Sequence, residues 1–146
     1  RKNERLLRVI EANGVDVYEG SVRFVEAACA HGLRRAVVSA SRNCAAVLRA
    51  AGIEHLFEVR VDGNVAAERN LRGKPAPDTF LAAAADLGVP PSACAVFEDA
   101  VAGVEAGRAG GFGYVVGVDR TGDAESLRAH GADVVVRDLA ELLTDG

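Results

Sequence analysis

The sequence predicts a doubly wound α/β fold built on a parallel sheet. Three observations carry that expectation. Short apolar runs alternate along the chain with segments whose apolar residues recur at helical spacing. The runs are continuous and do not alternate with polar residues, as strands covered on both faces require. The chain is 49% hydrophobic but only 5% aromatic, which suits a core of Ala, Val and Leu between helices and sheet better than an aromatic β-sandwich. Its 146 residues are about one domain, long enough for a real core.

The elements follow in order. Leu6, Leu7, Val9 and Ile10 suggest a short helix ending near Asn13-Gly14. From Ser21, the apolar residues Val22, Phe24, Val25, Ala28 and Cys29 recur at helical spacing up to His31-Gly32. Arg35 to Ser39 reads as a strand. Asn43 is placed to cap a helix through Val47, Leu48 and Ala51 that stops at Gly52. Phe57 to Val61 is the next strand, and the polar stretch Val65 to Gly73 reads as a loop. Pro77 opens a helix to Leu87, since proline suits a first turn. Cys94 to Phe97 is a buried strand, followed by a helix over Val101 to Ala109 and a strand over Phe112 to Val118. Asp123 to His130 is helical, Asp133 to Val136 a strand, and Leu139 to Leu143 a last helical turn.

Composition excludes some roles. Net charge is −4 and there is no basic block, which argues against a nucleic-acid partner. No apolar stretch reaches the roughly 18 residues that span a bilayer, so no membrane partner is expected. Cys29, Cys44 and Cys94 are scattered and odd in number. They read as buried thiols of a cytoplasmic, reducing compartment, not as a disulfide or zinc framework. His31, His55 and His130 fall at helix ends or turns without ligand-like spacing. The glycines between Gly103 and Gly117 do not form a dinucleotide fingerprint.

Three groups carry chemistry. In open α/β sheets ligands bind at the carboxyl ends of strands, and two of the groups fall there. Ser39-Ala40-Ser41-Arg42-Asn43 follows a strand and opens a helix. Its hydroxyls and backbone N–H groups suit an anion, or Ser41 or Asn43 simply caps the helix. Glu98-Asp99 closes the run Cys94-Ala95-Val96-Phe97. Adjacent carboxylates at a strand end call for a cation or donors to offset them, and magnesium takes few carboxylates together with waters and phosphate oxygens. The plain alternative is that Asp99 caps the next helix. Lys74 stands in Gly73-Lys74-Pro75-Ala76-Pro77. It is placed to neutralise a phosphate, or is an exposed loop lysine. No carboxylate ends an earlier strand to act as nucleophile.

Taken jointly, these segments resemble the β-phosphoglucomutase-like group of the haloacid dehalogenase superfamily, over essentially the whole chain. Val38-Ser39-Ala40-Ser41-Arg42-Asn43 is similar to that family's second motif, Gly73-Lys74-Pro75-Ala76-Pro77-Asp78 to its third, and Phe97-Glu98-Asp99-Ala100 with Gly103 and Ala106 to its fourth. The resemblance implies a Rossmann-like core and an enzyme of magnesium-dependent phosphoryl transfer on a small sugar phosphate, through an aspartyl-phosphate. In that family's terms Ser39 and Lys74 contact the transferring phosphoryl group, and Glu98 and Asp99 hold Mg2+. Ser41, Arg42 and Asn43 then bind the substrate's other phosphate. Arg42 replaces a frequent lysine and Ala100 a frequent serine. Arg1-Lys2-Asn3 resembles the end of the helical cap, with Lys2 reaching substrate. Residues 1–16 are then the cap's end and 17–146 the core.

The family's first motif, the D-x-D that supplies the nucleophile, would precede Arg1. Its strand belongs beside those ending at Ser39 and Glu98, so these 146 residues are expected to leave a gap there, or to have it filled by upstream residues or another chain, and to be inactive alone. Mutase and phosphatase share these residues, and the Ser41-Arg42-Asn43 set favours the mutase. A phosphoacceptor signalling domain would need the acidic pair before the Ser/Thr and the lysine last, which the order Ser39, Lys74, Glu98-Asp99 does not give. An inactive binding or folding module is the remaining alternative.

Overall fold

A computed structural model describes residues 7–10 and 19–143. Six parallel strands form one sheet in the order β3-β2-β1-β4-β5-β6. They are β1 (Leu7–Ile10), β2 (Arg35–Val38), β3 (Val59–Val61), β4 (Cys94–Glu98), β5 (Tyr114–Val118) and β6 (Val134–Val136). The helices are α1 (Glu19–Ala30), α2 (Cys44–Ala50), α3 (Gly63–Arg69), α4 (Asp78–Leu87), α5 (Val101–Ala109) and α6 (Ala124–Ala129). The predicted doubly wound parallel fold is the one observed.

Burial follows from the strand period of two. In β4, Val96 joins one cluster with Ala36, Val38, Val61, Phe80, Ala83, Leu87 and Phe112. Its neighbours Ala95 and Phe97 join the opposite cluster with Phe24, Val25, Val116, Val118 and Leu139. Both faces of the sheet are therefore covered, and every residue of β4 is buried. Strand order reverses direction between β1 and β4, which places the topological switch, and hence the crevice for a ligand, at the carboxyl end of β4.

Four expectations are corrected. The run expected as a helix through Leu6, Leu7, Val9 and Ile10 is a strand over 7–10, paired with β2 and β4. It also closes the gap expected between those two strands. Two facing rows of backbone N–H and C=O groups at a sheet's centre are costly when unpaired, and this short apolar run satisfies both. Lys2 and the remainder of 1–16 proposed as a cap lie outside the described residues. The stretch expected as a loop from Val65 contains α3. That helix buries no residue, so it leaves no apolar period to read. Its start is fixed by Asp62, whose side chain accepts the Val65 N–H at 3.0 Å, and its end by Asn70 in the left-handed region. Finally, Cys44 and Cys94 are buried but Cys29 is exposed, because it lies one residue past the buried Ala28 in the last turn of α1.

The close approach at Gly113 gives a direct test of the packing. A Cβ there would collide with the Ser92 carbonyl oxygen, and the Gly113 N–H donates to Pro91 O at 3.0 Å and Cys94 O at 3.1 Å. Gly73 has nothing within 4 Å of a built Cβ. In urea unfolding, Gly113→Ala is expected to lose about 2 kcal/mol or more, while Gly73→Ala stays within about 1 kcal/mol of the parent. Equal midpoints for the two variants would contradict this account of the β5 entry.

Candidate active site

β4 ends by burying a carboxyl group. Glu98 is 1% exposed, an environment that disfavours an unpaired charge. Lys74 Nζ lies 3.3 Å from its Oε2, and the Ala100 N–H donates to Oε1 at 3.4 Å. Space for the carboxylate comes from Gly103 on α5. A Cβ at that position would fall on Glu98 Oε1, Cδ and Cγ, well inside contact distance. Asp99 follows, half-buried. The N-cap position of α5 is occupied by Ala100, one residue past Asp99.

Lys74 is not an exposed loop lysine either. Its side chain is 14% exposed, and its ammonium sits 5.8 Å from the centroid of the fully buried Phe80 ring. The peptide bond from Lys74 to Pro75 is cis. Burial pushes the Lys74 ammonium down to about 8, with Asp99 acting in the opposite direction. The Glu98 carboxylate at 3.3 Å also favours the charged form.

The loop after β2 carries the third group. Ser39 is buried, and its N–H continues the sheet by donating to Val61 O at 2.9 Å. Its Oγ accepts the Ser41 N–H at 3.1 Å, and Ser41 Oγ accepts the Asn43 N–H at 2.9 Å. Each hydroxyl so engaged as an acceptor keeps its own proton to donate elsewhere. Asn43 occupies the N-cap position of α2 but makes no side-chain cap bond, so its capping alternative fails. Arg42 and Asn43 are exposed, and Ser41 is half-buried.

The structure thus brings Ser39, Lys74, Glu98 and Asp99 to one sheet edge, with Ser41, Arg42 and Asn43 on the loop above β2. Among the described residues no cluster of three or more His, Cys, Asp or Glu groups forms. The two adjacent carboxylates still fit a hard cation that completes its shell with water and phosphate oxygens. Two features escaped sequence reasoning. One is the start of α3, where Gly63 N–H donates to Ser41 O at 3.0 Å and Asn64 Nδ2 to Arg42 O at 3.1 Å; Asp62 as an N-cap was its only signal. The other is Asp119 just past β5, whose Oδ1 accepts N–H groups from Thr121, Gly122 and Asp123. These bonds, that from Asp123 foremost, hold its carboxyl below the usual range.

Residues 2–111 match the model of a haloacid dehalogenase-like hydrolase. The chain belongs to that family. A β-phosphoglucomutase of Mycobacterium tuberculosis is 54% identical over 146 residues, covering 98% of this chain and 56% of that protein. A trehalose-phosphate phosphatase of Mycobacterium leprae is 40% identical over 77% of this chain and 25% of its own length. Among solved structures, a β-phosphoglucomutase from Clostridium difficile superposes with a TM-score of 0.75 at 30% identity, covering 87% of this chain and 52% of that one. The chain thus spans about half the length of the mycobacterial mutase it matches.

The buried ion pair predicts a coupling. Lys74→Met strands the Glu98 carboxylate and is expected to cost about 3 kcal/mol in denaturant unfolding. Adding Glu98→Gln to that variant should recover a good part of the loss. A double variant no more stable than Lys74→Met would show that the pair is not what holds the carboxylate.

Proposed function

We propose that this chain forms most of the core of a magnesium-dependent phosphotransferase or phosphatase acting on small sugar phosphates through an aspartyl-phosphate, at the β-phosphoglucomutase-like end of the family. The nucleophilic aspartate would come from sequence outside these 146 residues. The observation that carries the reading is the nearly solvent-free Lys74–Glu98 pair, with Asp99 beside it, at the switch-point edge that also presents Ser39.

Phosphoryl transfer needs positioning and charge neutralisation more than covalent chemistry from the protein. Glu98 and Asp99 are the residues that would hold Mg2+. A bound magnesium ion supplies neutralisation of charge on the phosphoryl oxygens. Lys74 adds a positive charge in a poorly solvated position, where electrostatic stabilisation is strongest. The Ser39 hydroxyl, its lone pair taken by Ser41 N–H, is left to donate to a phosphoryl oxygen. Ser41, Arg42 and Asn43 grip a second phosphate of the substrate, and Lys2 is assigned to the substrate by resemblance alone. A mutase needs that second grip and a phosphatase does not, which tilts the reading toward the mutase.

A second reading, an inactive binding or folding module, draws on one observation: among the described residues, the central strand β1 is Leu-Arg-Val-Ile and includes no carboxylate. Assay of the full-length protein with sugar phosphates and magnesium separates the two. Lys74→Ala there is expected to lower turnover about a hundredfold. Turnover within a fewfold of the parent would remove Lys74 from the chemistry. Asp99→Asn should weaken magnesium binding in calorimetry, and unchanged affinity would overturn the metal assignment.

A further inference from the structure

Resting on that reading of the Ser39–Asn43 loop as a phosphate grip, we infer that Gly63 and Asn64 are positioning residues that set the loop's anion-binding geometry and so the preference for substrates with a second phosphate. Both stand at the start of α3, on a different element from the loop, and neither touches the proposed reacting groups.

The contacts are specific. The loop offers carbonyl oxygens as well as N–H groups, and a carbonyl facing an anion repels it. The carbonyl of Ser41 is taken by the Gly63 N–H at 3.0 Å and the carbonyl of Arg42 by Asn64 Nδ2 at 3.1 Å. Both are thereby turned toward α3. The N–H groups of Ser41 and Asn43 are held on the hydroxyls of Ser39 and Ser41. Among the described residues, the groups left to donate are the hydroxyl protons and the Arg42 guanidinium, all of which favour an anion.

Gly63 sets how closely α3 and the loop approach. A Cβ at Gly63 would lie 2.6 Å from Ala40 O, 2.9 Å from Arg42 Cγ and 3.2 Å from Arg42 N. Two of those three atoms are backbone, so a larger residue must move the loop itself. The stem of Arg42 therefore lies against the glycine while its carbonyl is held by Asn64. Asp62 fixes the helix start that makes this possible. It is 3% exposed, caps Val65 N–H at 3.0 Å and pairs with Arg60 Nε at 3.1 Å.

Asn64 is exposed, so replacing it leaves the core intact. Two readouts in the full-length protein test the inference. The first is fast amide exchange at Ser41 and Asn43 by NMR. Asn64→Ala should accelerate it severalfold with an unchanged Tm, Asn64→Gln should restore it, and Gly63→Ala should shift both amide resonances. The second compares glucose 1,6-bisphosphate with p-nitrophenyl phosphate as substrates. Asn64→Ala should raise KM for the bisphosphate about fivefold, the scale of one hydrogen bond, with kcat on p-nitrophenyl phosphate unchanged. Unchanged exchange, or an equal kinetic loss on both substrates, overturns the inference. Arg42→Ala serves as the control for the underlying reading: if it too fails to discriminate between the substrates while exchange responds to Asn64→Ala, the loop is positioned as inferred and it is the phosphate grip that falls.

Discussion

A carboxylate that water cannot reach must be held by something, and at the end of β4 Glu98 is held by Lys74. The pair is costly on both sides. Glu98 is 1% exposed and the Lys74 side chain 14% exposed, and desolvation of two such ions exceeds their attraction unless further partners help. Those partners are local: the Ala100 N–H on Oε1, the Phe80 ring beside the ammonium, and the clearance at Gly103. The sign of the linkage for Lys74 is unfavourable to folding. Its ammonium titrates near 8 in the folded chain against 10.5 for free lysine. The unfolded chain therefore binds the extra proton between those values, and this group's contribution to stability rises with pH across that window. A purely structural core would replace such a pair with apolar side chains.

The same economy governs the loop after β2. Ser39 continues the β2–β3 pairing through its N–H and then turns the chain with its hydroxyl. Ser41 repeats the turn one step on. Asn43 then sits at the start of α2 with its N–H bound to Ser41 Oγ and without capping the helix through its side chain. The loop is braced from outside by α3, a helix with no fully buried residue, whose start is capped by Asp62 and tied to the loop through Gly63 and Asn64.

How much of this was legible in the sequence follows from which signals are local. Ser39, Lys74 and Glu98-Asp99 were legible because each stands at a strand end or before a proline, and strand ends in this fold share an edge. Buried β4, α4 and α5 were legible from continuous or periodic apolar residues. The run Leu6–Ile10 was not, since five residues cannot distinguish periods of 2 and 3.6, and the pairing that makes Leu7–Ile10 a strand is supplied by β2 and β4 on either side. α3 was not, because its seven residues include none that is fully buried and only Val65 packs against the core, too little to set an apolar period. The role of Gly103 was visible only as a matching motif letter; that it clears the Glu98 carboxylate is a tertiary fact.

The central strand has a separate status from the groups around it. Ser39 and Glu98 end strands that flank β1, so they stand two strand spacings, about 10 Å, apart. One phosphoryl group does not span that distance, and anything touching both must lie over the end of the strand between them. Among the described residues, the side-chain contacts that build the flanks come from other elements. Glu98 is held by Lys74, Ala100 and the space at Gly103, and the Ser39 loop by Val61, Gly63 and Asn64. What the central position demands from the rest of the fold is parallel backbone pairing on both sides, which the four residues Leu7–Ile10 supply. The Lys74–Glu98 pair and the Ser39–Asn43 loop are therefore assembled by β2, β3, β4 and α3 to α5, and under the proposed function they would flank whatever group lies over the end of the central strand.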